Sequence, residues 1–389
     1  MSEWKTYKFN QAVEVNPKVE IKNRIGIPFV EMKDIEPTNK FCTYSQKRDL
    51  GGGARFKNGD TLFARITPCL ENGKIAQVRN LPDDVGFGST EFHVLRGKKN
   101  ITTSEFVYYL SRWDDVRDFA ELNLHGTSGR QRFPAEAFGE LEILLPSLPQ
   151  QESIAEVLSS LDDKIDLLHQ QNQTLEALAE TLFREWFVEE VKEEWETKTV
   201  GEVFETFGGG TPSTSVSEYW DGNINWTSPK DLSEGSKLFM TNTSRTITEA
   251  GLKKISSGLL PIGTVLLSSR APIGYISITD IPVSINQGYI ACLRNEKFST
   301  WYIHNWIKQN MDIIINSANG STFLEISKSV FRKLEFVIPP DEKLLKFNQH
   351  AESYYYKIRS NEKQIQTLEA LRNNLLPKLM SGAVSLSSQ

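Results

Sequence analysis

The side chains best suited to chemistry cluster in loops rich in serine and glycine. The stretch HGTSGRQRF at 125–133 sets Arg130, Gln131 and Arg132 side by side. In LSSRAPIGY at 267–275, Ser269 and Arg270 stand beside a Pro-Gly turn, and the corresponding FARITPCLENGK at 63–74 carries Arg65 and Lys74. ANGSTFLE at 318–325 answers the 125–133 loop and adds Asn319, Ser321 and Thr322, while Lys230 stands in SPKDL at 228–232. Guanidinium, ammonium, hydroxyl and amide groups spaced by glycine can hydrogen-bond base edges and phosphates. Taken one at a time, each of these residues also suits an ordinary solvated loop.

Covalent chemistry finds no comparable pattern. The glycine triplets at 51–53 and 208–210 are not followed by GK[ST], so they are not Walker phosphate loops. GxSxG and HExxH are absent, and His93, His125, His169, His304 and His350 lack metal-ligand spacing. No [DN]PP[YF] string marks an amino-methyltransferase, and Pro340-Asp341 is not followed by the ExK that a nuclease of that type needs. The three cysteines, Cys42, Cys69 and Cys292, are scattered singly, which excludes a disulfide scaffold or a CxxC metal site and suits a reducing cytoplasm. No catalytic residue and no metal ligand is assigned.

The elements that must position these loops come in two copies. QTLEAL occurs at 173–178 and again at 366–371, an offset of 193 that also carries Pro146 to Pro339 and Lys164-Ile165 to Lys357-Ile358. Upstream the offset drifts: KDI at 33–35 matches KDL at 230–232 (197), and GDTL at 59–62 matches GTVL at 263–266 (204). A constant offset marks a segment that tolerates no insertion, and a drifting one marks loops of variable length. Each half is therefore a variable domain followed by a rigid element.

The rigid element is a helix with a heptad seam. Ile154, Leu158, Leu161, Ile165, Leu168, Asn172, Leu175, Ala179, Leu182 and Trp186 follow a strict 4-3 spacing. Phe347, Ala351, Tyr354, Ile358, Asn361, Ile365, Leu368, Arg372, Leu375 and Leu379 repeat it 193 residues later. Such spacing predicts a left-handed coiled coil. Two halves related by a pseudo-twofold axis perpendicular to the helices require antiparallel seams. Antiparallel pairing centred near residue 170 sets Asn172 against Asn361, so that each amide satisfies the other.

Between the helices, β-rich runs such as TLFARI, EFHVLR, TVLLSS and YIACLR alternate with turn signals, and single capped helices are expected over 104–122 and 299–316. The fold class is α+β: two tandem α/β domains, 1–148 and 193–340, separated by spacer helices in 149–192 and 341–389. The length of 389 residues and the composition, 39% hydrophobic and 24% charged, suit a globular protein of this size. No apolar run approaches the ~18 residues of a membrane span, and the first residues show no secretory signal pattern, so a cytoplasmic protein is expected. The net charge of −6 is concentrated: residues 150–199 hold 13 acidic against 4 basic side chains. A chain so poor in excess cation needs a partner to supply part of any phosphate contact.

Several longer strings together resemble a known family. GGGTPS at 208–213, EYWDGNINWTSPKDL at 218–232, GTVLLSSRAPIG at 263–274, NQGYIACLR at 286–294, ANGST at 318–322, LEFVIPPDEK at 334–343 and LLPKLMSG at 375–382 are similar to the specificity subunits of type I restriction–modification enzymes. The likeness spans nearly the whole chain, although VNPKVEIKNRIGIPFVEMKDI at 15–35 lacks the GxTPS opening. It implies a non-catalytic DNA-binding subunit whose two target-recognition domains each read half of an asymmetric, interrupted double-stranded target. It also implies docking of two methyltransferase subunits on the helices, with two translocase–nuclease subunits in the fuller assembly. S-adenosylmethionine, ATP and Mg²⁺ would belong to those partners, and none to this chain. A specificity subunit of another defence system, a restriction enzyme with a cryptic active site and a coiled-coil adaptor without DNA binding are the alternatives that the residues leave open.

Overall fold

The computed structural model describes residues 4–22, 25–127, 129–233, 238–320, 324–384 and 386. The chain forms two compact units, one of residues 1–168 with 364–389 and one of 169–363.

In the first unit a five-stranded sheet runs in the order Val13–Val15, Phe92–Gly97, Thr61–Ala64, Ile75–Val78, Phe41–Cys42. Its pairings are antiparallel except the last, which is parallel. Alternate residues of its central strands enter different cores, as the two-residue period of a strand requires. Phe63, Ile75 and Leu95 pack with the helix Ser104–Arg112, whereas Leu62, Ala76 and Val94 pack with Val30 and Phe56. A second sheet, in the order Gln46–Arg48, Ile27–Val30, Val85–Gly88, Ala54–Lys57, supplies that other side.

The second unit repeats the plan. Its five-stranded sheet runs Thr206–Gly208, Tyr289–Cys292, Val265–Ser268, Ile276–Thr279, Phe239–Met240, with the same strand directions. Val265 and Leu267 enter one core and Leu266 another. The smaller sheet has three strands, Arg245–Ile247, Trp220–Thr227 and Ser284–Ile285. The expected helix over 104–122 is instead two, Ser104–Arg112 and Asp114–Leu122, because Trp113 takes an extended conformation and Asp114 and Asp115 open a new first turn, where carboxylates favour a helix N-terminus. The 299–316 helix likewise breaks, into Thr300–Gln309 and Met311–Asn316, at Asn310, whose amide donates to the Trp306 carbonyl.

The long helices span Leu148–Arg184 and Asp341–Met380. Every seam position is buried or half-buried, while Leu167, Leu178 and Leu371, off the seam, are exposed. Within the first unit Ile165 and Leu168 pack with Ile365 and Leu368, and Asp162 meets Arg372. Within the second, Phe183 meets Phe347, and the Asn361 amide donates to Asn172 Oδ1 at 2.8 Å. Numbers rise along one helix as they fall along the other, so the pairing is antiparallel and the two asparagines share one layer, as expected. Asn361 Oδ1 is buried with no hydrogen-bond partner among the described residues. Replacing both asparagines by leucine removes the pair and that unsatisfied oxygen together. A rise in the denaturation midpoint is expected, with a broader spread of spin-label distances across the pair as the register loosens.

Candidate nucleic-acid interface

Each unit carries a hairpin seated on the loop that leaves its five-stranded sheet. In the first, the His125 and Arg132 backbones exchange hydrogen bonds of 3.0 and 2.9 Å, and Thr67 N–H donates to the Gln131 carbonyl at 3.0 Å. In the second, Asn319 and Glu325 exchange two bonds of 3.0 Å, and Ile326 N–H donates to the Ser269 carbonyl at 3.0 Å. Two loops distant in sequence are thereby locked into one surface in each unit.

An arginine–carboxylate pair ties each hairpin to a neighbouring segment. Arg132 makes a forked contact with Glu91, at 2.9 Å from Nε and 2.7 Å from Nη2, and holds that carboxyl below the usual carboxylate range. Arg270 stands 3.6 Å from Glu325. These two arginines are therefore part of the hairpin's foundation. Ser269 is buried, its N–H donating to the Gly288 carbonyl, so its contribution is through backbone. Gln131 is half-buried and tied on both sides to Thr67. Arg65 is half-buried, and its Nε has no hydrogen-bond partner among the described residues. Lys74 donates to the Met32 carbonyl at 2.9 Å, which joins the 63–74 loop to the KDI segment. Arg130, Asn319 and Lys230 are exposed. Ser321 and Thr322 lie outside the described residues.

The GGGTPS string has a structural reason. The Trp226 indole donates to the Gly210 carbonyl and the Trp220 indole to the Ser213 carbonyl, both at 3.1 Å. Thr211 bonds Gln287 and Asn286 of the NQG string. A Cβ on Gly209 would fall 2.0 Å from the Ile285 carbonyl oxygen, so only glycine fits there.

Sequence reading missed two further surface arginines. Arg48 pairs with Glu31 and lies 4.0 Å above the Phe29 ring, and Arg245 lies 3.5 Å above the Trp220 ring and 5.8 Å from Trp226. Stacking of this kind holds a guanidinium in a fixed plane. The signal was present: the 197 offset of KDI and KDL also carries Phe29 to Trp226 and Arg48 to Arg245.

Among the described residues, no set of three or more His, Cys, Asp or Glu could hold a metal ion. Burial pushes the Cys42 thiol up to about 12 and the His304 imidazole down to about 3, states suited to packing. No described helix is long and apolar enough to cross a membrane.

Two units with one strand order, each built on a stretch of both long helices and each presenting a braced polar hairpin, make this a tandem recognition-domain protein. The family model described as "Type I restriction modification DNA specificity domain" matches residues 1–177 and again 192–370, and the chain belongs to that family. It is 24% identical to the HindI specificity subunit of Haemophilus influenzae over 99% of this chain and 100% of that protein. It is 32% identical to the MjaIX specificity subunit of Methanocaldococcus jannaschii over 49% of this chain and 45% of the relative. Among solved structures, the S subunit of a type I restriction–modification system from M. genitalium shares the fold, with a TM-score of 0.54 and 16% identity over 100% of this chain and 97% of that one.

Proposed function

We propose that this chain is the DNA specificity subunit of a type I restriction–modification assembly. Each unit reads one half of an asymmetric, bipartite target through its braced hairpin and neighbouring loops, and the paired helices set the gap between the halves. The observation that carries this reading is the doubled unit itself: the same sheet order and hairpin seat occur twice, with different loop residues in each copy. Equal frames with unequal loops suit two unlike half-sites. Arg130, Asn319 and Arg245 are the foremost candidates for DNA contact, with Arg48, Arg65, Lys74, Lys230, Ser321 and Thr322 beside them, and Arg132, Gln131, Ser269 and Arg270 bracing the surface.

The acidic segment 150–199 favours protein over phosphate, which suits docking of two methyltransferase subunits, with two translocase–nuclease subunits completing the assembly. The methyl donor S-adenosylmethionine and the ATP and Mg²⁺ of restriction then belong to those partners, and the complex works in the cytoplasm of a bacterium or archaeon. Purified alone, the chain is expected to show no methyltransferase, nuclease or ATPase activity.

Co-expression with the methyltransferase encoded beside its gene, followed by mapping of methylated adenines, tests the reading. One bipartite motif with a fixed gap is expected. Inserting four residues into 173–178 lengthens that helix by ~6 Å, and the gap should widen by about one or two base pairs at ~3.4 Å per step while both half-sites persist. Absence of any bipartite motif refutes the function, and an unchanged gap refutes the helices as its ruler.

A further inference from the structure

Each recognition domain is fastened to its helix pair by a buried polar joint at the same place. In the first unit the Tyr109 hydroxyl donates to Asp162 Oδ2 at 2.7 Å. The other oxygen of Asp162 accepts from Arg372 at 2.6 Å, and the same Arg372 nitrogen reaches the Thr38 carbonyl at 3.0 Å. Tyr109 comes from the Ser104–Arg112 helix, Asp162 from the first long helix, Arg372 from the second and Thr38 from a loop of the recognition domain. Lys40 adds a strut, donating to Ser159 at 2.9 Å and to Glu105 at 2.7 Å.

In the second unit the joint is uncharged. Tyr355 of the second long helix meets His304 Nδ1 at 2.7 Å and accepts from the Asn305 amide at 2.8 Å. Burial keeps His304 neutral, so its ring and the Tyr355 hydroxyl are joined by one uncharged hydrogen bond at Nδ1. Trp301 stacks on the Tyr355 ring, 4.6 Å between centroids.

The internal repeat shows that these are one joint built twice. Thr103 and Ser299 cap the two short helices in the same way, an offset of 196 that carries Tyr109 to Asn305. The helix offset of 193 carries Asp162 to Tyr355. The hydroxyl has changed sides, and the hydrogen bond between domain and spacer has stayed. Apolar packing alone tolerates small slides of a domain along a helix, whereas a buried, directional hydrogen bond is satisfied in one pose only.

We propose that these joints are positioning elements that make the assembly accept a single gap length. Tyr109, Asp162 and Arg372 act for the first recognition domain, and Tyr355, His304 and Asn305 act for the second. The proposal rests on the specificity-subunit reading above. Neither joint touches DNA; each holds the pose of the domain that does.

The test uses the full chain co-expressed with its methyltransferase, comparing wild type, Arg372→Met and Tyr109→Phe by methylation mapping. Wild type should show one gap. In the variants, methylation of targets with a gap one base pair longer or shorter should rise at least tenfold, with both half-site sequences unchanged. Unchanged gap selectivity in a soluble variant, even one with a lower melting temperature, makes the joint merely structural and overturns the proposal. A change in the half-site sequence overturns it as well, by placing the effect on reading. Should Arg372→Met fail to fold, Tyr109→Phe, which deletes one hydroxyl, decides alone. Tyr355→Phe asks the same of the second unit. A wild type without any bipartite motif fails at the earlier step and is thereby distinguished.

Discussion

Replacing Arg372 by alanine should lower the unfolding free energy by about 3–5 kcal/mol, the range for breaking one partner of a buried ion pair. The side chains of Arg372 and Asp162 are only 5% and 1% exposed, so solvent cannot rescue the carboxylate left behind. Tyr109 would remain as its one strong donor, too little for a full charge in that setting. Asp162→Ala should cost a similar amount, because it strands the guanidinium instead. The double variant Asp162→Leu with Arg372→Leu should recover much of the loss, since a well-packed apolar pair avoids desolvating two charges, but it should stay below wild type because the Tyr109 hydroxyl and the Thr38 carbonyl lose their partners. Urea unfolding of wild type, the two alanine variants and their alanine double forms a double-mutant cycle, with the double leucine variant measured beside it. Single variants that lose less than about 1 kcal/mol would show the pair to be as weak as a surface contact.

That pair also marks how far the sequence could be read. The seam was visible because a 4-3 spacing of apolar residues repeats at one offset, and Asn172 could be set against Asn361 by geometry alone. Arg372 falls on a seam position by spacing alone, which says nothing of what its charge meets. Its partner was hidden in the Asp162-Asp163 doublet, where both residues look like solvated acids and only the fold shows Asp162 turned inward. Strand positions were readable where both faces are buried, as in Thr61–Ala64, since continuous apolar runs leave little choice. Division of labour within the loops was not. Arg130 and Arg132 are two residues apart in one string, yet one is exposed and the other is held by Glu91, a residue 41 positions away. No local pattern encodes a partner at that distance. Arg48 and Arg245 were recoverable, but only by extending the 197 offset beyond the motif that revealed it.

The joint sharpens the remaining prediction, which concerns exchange of a whole recognition domain. Replacing residues 1–148 by the first domain of another family member should rewrite one half of the methylated target and leave the other half intact. The reason is that the second unit keeps its own sheets, cores and hairpin within 169–363. The graft nevertheless cuts through the joint, because Tyr109 and Thr38 leave with the old domain while Asp162 and Arg372 stay on the helices. A donor domain with a hydroxyl or amide at the place of Tyr109 can still bond Asp162, and such a chimera should be as stable as the parent. A donor with leucine there leaves one carboxylate oxygen short of a partner, at a cost of about 1–3 kcal/mol. It should still recognise its new half-site, but across a looser gap. Methylation maps of two chimeras that differ only at position 109 separate the two effects: sequence follows the domain, and gap selectivity follows the single side chain. Were both halves of the target to change in either chimera, the units would not be independent readers.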